Sequence, residues 1–175
     1  LEFFNGNLTE AEEWAQENLS LSTDLVWAKG QAISHHMLAI IYRFQALETA
    51  DPGPLRKQAR KHLKLVDSVA PKGVTGNWSR FHSITGHVML DVDEGGWKRT
   101  QSRVAQLRAM LKGEGLMPHA PAAVELWDVL SKKPTTPRAE YRTELLRIRE
   151  TLQAHETDTS FEREKICDPE LDSLK

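Results

Sequence analysis

The chain has very little cysteine and no long apolar run. Its 175 residues include one cysteine, Cys167, so no internal disulfide can form and an intracellular, reducing compartment (cytoplasm or nucleus) is favoured. No apolar stretch approaches the roughly 18 residues of a membrane-spanning helix, so we expect no membrane partner. With 39% hydrophobic and 27% charged residues, the composition predicts a soluble globular domain with a packed core.

Catalytic and metal-binding motifs are also lacking. The sequence contains no Gly-x-Ser-x-Gly, no glycine-rich phosphate loop, no dinucleotide fingerprint and no His-Glu-x-x-His run. His82 and His87 are five residues apart, whereas two ligands on one helical face are four apart. We therefore predict no enzyme, no catalytic residue, no cofactor and no metal. A helical metal-dependent enzyme is kept as the weakest alternative.

Positive charge is concentrated in one segment, although the formal net charge is only −2. The stretch between Pro54 and Val66 contains no acid and carries a basic stripe, which consists of Arg56, Lys57, Arg60, Lys61 and Lys64. A solvated helix face is the simplest interpretation. Docking to an acidic protein partner is the sharper hypothesis, and a nucleic-acid backbone is a weaker one.

Two amphipathic helices joined by a turn are predicted in the middle of the chain. The first carries an apolar stripe formed by Ile33, Met37, Ile40, Ile41 and Phe44, and the second carries Leu55, Ala59, Leu63 and Val66. Asp51-Pro52-Gly53-Pro54 separates them, because proline cannot continue a helix. A short connection of this kind predicts an antiparallel hairpin over 28–71.

The apolar pattern recurs at an interval of 44 residues. Leu19, Leu63 and Leu107 are spaced by this interval, and so are Met37 and Phe81. Repeats of this length are typical of helical solenoids, although an irregular helical bundle is the alternative. We predict hairpins at about 8–27, 28–71 and 74–112, within a domain over 1–131.

The segment before the central hairpin is predicted to be the second helix of an incomplete first repeat. We expect its solvent-facing side to carry Glu10, Glu12, Glu13 and Glu17. Its packed side should carry Trp14, Ala15, Leu19 and Ser22. We expect Phe3 and Phe4 to cover an exposed end of the stack.

The central unit resembles a tetratricopeptide repeat. Leu38, Ala39 and Tyr42 have the spacing of the large, small and aromatic residues of that family's first helix, and Ala59, Leu63, Val66 and Pro71 have the spacing of its second. In the next copy Ser83 keeps the small position, whereas Gly86 replaces the aromatic residue. The resemblance implies an all-α fold of antiparallel helical hairpins stacked as a short solenoid.

The resemblance also implies a concave groove lined by first helices. Its residues would be His36, Ile40, Arg43, Phe44, Asn77, Arg80, Ile84 and His87. Such a wall is rich in hydrogen-bond donors, which suits the carbonyls and carboxylates of a bound peptide. The basic stripe would then lie on the convex surface.

The C-terminal part is predicted to hold a short helix (122–131), a linker (132–137), a helix (138–156) and a polar tail (157–175). Tyr141, Leu145, Ile148 and Leu152 form a seam on the longer helix, which we expect to cap the last repeat or to contact a partner.

Taken together, these patterns predict a non-catalytic protein–protein interaction scaffold. Because the chain begins at Leu1, we expect it to be a fragment of a larger helical-repeat protein or complex subunit. A peptide- or ligand-sensing domain of a regulator is the alternative. The oligomeric state is left open.

Overall fold

The computed structural model describes residues 7–71, 73–112, 116, 118, 120–154 and 163–174, with only the backbone of 74 and 75. Its helices are α1 (Leu8–Asp24), α2 (Ala28–Leu47), α3 (Gly53–Val69), α4 (Val74–Asp93), α5 (Trp97–Met110), α6 (Ala120–Ser131), α7 (Arg138–Gln153), a π-helical turn (Arg163–Cys167) and α8 (Asp168–Asp172). The described residues contain no strand, so the all-α prediction is confirmed. None of the described helices is long and apolar enough to cross a membrane.

Helices that follow one another in the sequence pack against one another. This holds for α1 with α2 and α2 with α3, and further along the chain for α5 with α6, α6 with α7 and α7 with α8. Such packing agrees with the predicted stacked hairpins. The chain forms two compact units, Leu1–Leu90 and Asp91–Lys175, which are described separately.

The core of the first unit lies within the predicted central hairpin. Ala39 on α2 and Ala59 and Leu63 on α3 are buried in one cluster with Leu90 of α4, and Tyr42 packs against it. The small side chains of the two alanines let α2 and α3 approach closely. Residues predicted from a helical period therefore meet across the hairpin.

Gly86 allows α4 to pack directly on α3. A Cβ atom at this position would lie 2.5 Å from Cδ2 of Leu63, closer than carbon atoms can approach. The hydroxyl of Ser83, one turn earlier, donates a hydrogen bond to the Leu63 carbonyl at 3.2 Å. A glycine at position 86 thus suits this close contact between α4 and α3.

The first predicted hairpin is observed as one helix that pairs with α2. Asn7 caps α1: its side-chain oxygen accepts a hydrogen bond from the Glu10 N–H at 3.2 Å. The helix ends at Asp24, and three residues lead into α2. The prediction for Phe3 and Phe4 lies outside the described residues.

In the second unit, a buried carboxylate ties the end of α4 to α5. Asp91 is fully buried and accepts a hydrogen bond from Arg99 Nε at 3.0 Å, and it also pairs with Arg103. The Gly96 N–H donates to the Asp91 carbonyl at 2.7 Å. The side chain and the backbone of Asp91 therefore both hold the turn that precedes α5.

The seam of α7 is buried within the second unit. Tyr141, Leu145, Ile148 and Leu152 are all at most 2% exposed, and α7 packs against α6 and the C-terminal segment. Residues 163–174 belong to the tail that was predicted to be polar, but they help to cover the seam. Their side chains Ile166, Cys167 and Leu171 form a buried apolar face. Tyr141 donates to the Glu170 carboxylate at 3.1 Å, which ties α8 to α7.

Candidate functional site

The residues of the predicted groove differ in their exposure to solvent. Arg80 is exposed, Ile40 and Arg43 are buried, and His36, Phe44, Asn77, Ile84 and His87 are half-buried. Side chains of α2 and α4 meet here, since the rings of His36 and His82 lie 5.0 Å apart. Two of the eight side chains are therefore buried and five are only partly exposed, and their role in binding a peptide stays a prediction.

His35 and His62 meet inside the first helical hairpin. The Nδ1 atoms of His35 and His62 lie 3.0 Å apart. Burial lowers the pKa of His35, and burial followed by repulsion from His35 and Lys61 lowers the pKa of His62 to about 4. These two histidines are thus packed side chains of the hairpin, and burial disfavours their charged forms. Among the described residues, no group of three or more His, Cys, Asp and Glu could hold a metal ion.

The basic stripe lies on the outer side of α3. Lys57, Lys61 and Lys64 are exposed, and Arg56 and Arg60 are half-buried. The opposite side of the helix carries Ala59, Leu63 and Val66, which are at most 1% exposed. The stripe is therefore a cationic surface on a helix whose apolar face is already covered.

A different surface, which we did not predict, lies between α1 and α2. It is an apolar cleft of about 550 Å³. Trp14 and Trp27 line it and remain 55% and 54% exposed. The prediction that Trp14 lies on the packed side of its helix is therefore wrong. The other lining residues are Glu10, Ala11, Ala15, Asn18, Gly30, Ile33, Ser34 and Met37.

The position of Trp27 is set by the link between the two helices. The backbone N–H of Trp27 donates a hydrogen bond to the Ser22 carbonyl at 2.8 Å. The preceding residue, Val26, has a φ of 50°, a left-handed conformation that a β-branched residue rarely adopts. The indole lies directly against Gly30, where a Cβ atom would collide with it. Backbone and glycine together place a large aromatic ring at the mouth of the cleft.

An acidic ledge borders the cleft along α1. Glu10, Glu13 and Glu17, which define this ledge, line a second depression of about 450 Å³ beside Trp14. Glu13 and Glu17 are exposed, and they are four residues apart, so they share one helical face. Trp14 lines both depressions and therefore separates apolar from acidic surface.

One sequence signal could have located this cleft. Leu25, Val26 and Trp27 form an apolar run in the link between two helices, where polar residues are usual. All three are more than half exposed. The helical periodicity did not reveal the cleft, because it concerns the faces of helices and not their connections.

These features define an all-helical chain that carries an exposed aromatic cleft beside an acidic ledge. The sequence matches no protein-family model, and searches among curated proteins and among solved structures find no match. The resemblance to the tetratricopeptide repeat therefore stays a prediction from the residues that carry it.

Proposed function

We propose that the chain is a non-catalytic protein–protein interaction scaffold, a part of a larger helical-repeat protein or complex, and that the cleft between α1 and α2 is its binding surface. The observation that carries this proposal is the exposure of two tryptophans around one apolar cleft. Tryptophan is enriched among the residues that dominate binding energy at interfaces. Grouped exposed apolar side chains commonly mark such interfaces, whereas scattered ones do not.

A peptide- or ligand-sensing domain is the second candidate. The cleft volume of about 550 Å³ lies within the range of small-molecule sites. Its lining is mainly apolar, with a few polar groups such as Ser34 and Asn18. In that case, a compound of low molecular weight should compete with any protein for Trp27.

Site-specific photo-crosslinking tests the proposed function. A photoreactive residue replaces Asn18, which is exposed and lines the cleft, or replaces Glu48, an exposed residue outside the cleft lining. In an extract of the source cells, we expect cross-links to a defined partner from position 18 and not from position 48. These cross-links should disappear in the Trp27→Ala variant.

The opposite result would reject the proposal. If positions 18 and 48 give the same products, or if Trp27→Ala leaves them unchanged, the cleft is not the binding surface. Circular dichroism of each variant is needed beside this test, because a loss of helix would remove binding for a trivial reason.

A further inference from the structure

We infer that the cleft between α1 and α2 receives an amphipathic helix of a partner protein, with its apolar residues in the cleft and its lysines or arginines on the acidic ledge. This inference rests on the proposed function and adds the chemistry of the partner.

The shape of the cleft suits a short helical segment. Its walls are the sides of two packed helices, and its lining on α1 runs from Glu10 to Asn18. This stretch is about two helical turns, or about 12 Å at the rise of an α-helix. A helix that lies in an apolar groove contacts it through residues at i, i+3 or i+4, and i+7, which span the same length. The two tryptophans are large enough to flank such an apolar ridge.

The charge beside the cleft selects a basic partner. Neither Glu13 nor Glu17 has an ion-pair partner among the described residues, and both are exposed. No lysine or arginine is among the residues that line the cleft or the ledge. A lysine-bearing helix edge would find opposite charge here, and an acidic edge would be repelled. Because the ledge lies on the α1 side, the basic residues should flank one edge of the incoming helix.

A second copy of the chain fits this surface less well. The basic stripe on α3 has suitable charge, but the apolar residues of that helix, Ala59, Leu63 and Val66, are buried in its own core. The stripe therefore has no free apolar ridge to insert into the cleft. Residues 1–6 of the same chain contain Glu2 and no lysine or arginine, so they do not complement the ledge.

Two matched peptides test the inference with the full chain. The first is a fluorescein-labelled helix of about 18 residues, long enough to form in solution, with a leucine stripe flanked by lysines. The second is identical except that glutamates replace the lysines. We expect fluorescence anisotropy to show that the lysine peptide binds about tenfold or more tightly at low salt. The difference should narrow at about 0.5 M salt, because the ledge is exposed and screened.

Variants of the cleft and of the ledge separate the two contributions. Trp27→Ala should weaken the lysine peptide about thirtyfold, as expected for an aromatic anchor. The double variant Glu13→Lys and Glu17→Lys should invert the preference, so that the glutamate peptide binds more tightly. The controls are Leu47→Ala, an exposed apolar residue outside the cleft lining, and Asp67→Lys, an exposed acid on α3. Neither control should change the preference.

Several results would overturn the inference. It fails if the two peptides bind equally, if the ledge variant does not invert the preference, or if Trp27→Ala has no effect. Self-association of the free chain that Trp27→Ala abolishes would identify a second copy as the occupant. Tight peptide binding that appears only after removal of residues 1–6 would identify that segment instead. If cross-links from position 18 persist while the peptides show no preference, the proposed function stands and only the partner chemistry is wrong.

Discussion

Nδ1 of His35 on α2 and Nδ1 of His62 on α3 lie 3.0 Å apart inside the first helical hairpin. One Nδ1 must donate and the other must accept, so the accepting ring has to be neutral. The ring of Tyr42 lies 5.5 Å from that of His62, and the hydroxyl of Tyr42 donates to Glu12 at 2.9 Å. Protonation of both rings would place two N–H groups against each other.

Acid should therefore destabilise the fold. Burial lowers the pKa of His36 to about 4, and the pKa of His62 is lowered to the same value, from 6.5 in an unfolded chain. Between these values the unfolded chain binds more protons, so the free energy of unfolding falls as pH drops from 6.5 towards 4. Above pH 6.5 this contribution is fully present. Urea unfolding followed by circular dichroism at several pH values measures the slope.

The double variant His36→Gln and His62→Gln provides the control for this prediction. Its free energy of unfolding should depend less on pH in the same window than that of the wild type. Equal slopes for the two proteins would contradict the role assigned to these histidines.

Leu63→Ala should lower the free energy of unfolding by about 2–5 kcal/mol. The reason is that Leu63 on α3 is fully buried against residues of α2 and α4. Lys64→Ala, at the next position, should have little effect because Lys64 is exposed. Urea midpoints of the two variants compare them directly. Identical midpoints would show that the assigned helix register is wrong.

Gly86→Ala tests the close approach of α4 to α3. The new methyl group would collide with the Leu63 side chain, and we expect a loss of about 1–3 kcal/mol. Gly53→Ala is the matched control, because its Cβ atom would meet only the Asp51 side chain at an ordinary 3.5 Å. A thermal melt that shows equal shifts for both alanines would argue against this packing.

Val26→Gly should stabilise the chain slightly. Its φ of 50° is costly for valine and free for glycine, and its side chain is 85% exposed, so little packing is lost. Allowing for the greater freedom of glycine when unfolded, the expected gain is about 0.5–1 kcal/mol. Leu25→Gly, where φ is −82°, should instead be destabilising. If both substitutions destabilise equally, the link does not hold this conformation in solution.

Cys167 should react slowly with a thiol reagent in the folded chain. It is fully buried and its S–H faces the Leu145 carbonyl at 3.7 Å. Burial, together with the nearby Asp168, raises the thiol pKa to about 12, so almost no thiolate exists near neutral pH. Labelling kinetics with and without denaturant measure the effect. Leu171→Ala should speed the reaction by loosening α8, whereas Leu47→Ala should leave the rate unchanged. Rapid labelling of the wild type would contradict the docking of residues 163–174 on α7.

The sequence by itself determined the main helices and which face of each of these helices is buried. The period of the apolar residues predicted α2, α3 and α7, and Leu63, Tyr141 and Leu145 are buried as their spacing indicated. Helix formation depends on residues three and four apart, and the turn at Pro52–Pro54 is equally local, so both can be derived from a short stretch of chain.

Only the tertiary structure decided which surfaces stay open. The exposure of His36 depends on how closely α4 approaches α2, since its ring lies 5.0 Å from that of His82. Gly86, far along the chain, likewise lets α4 pack on Leu63 of α3. Trp14 has the spacing of a packed residue but remains exposed, because no described helix covers that side of α1 and α2. The docking of residues 163–174 was missed for the same reason. Ile166, Cys167 and Leu171 form an apolar face, but their spacing does not show that α7 covers it. Exposure is a property of distant contacts, which a helical period does not encode.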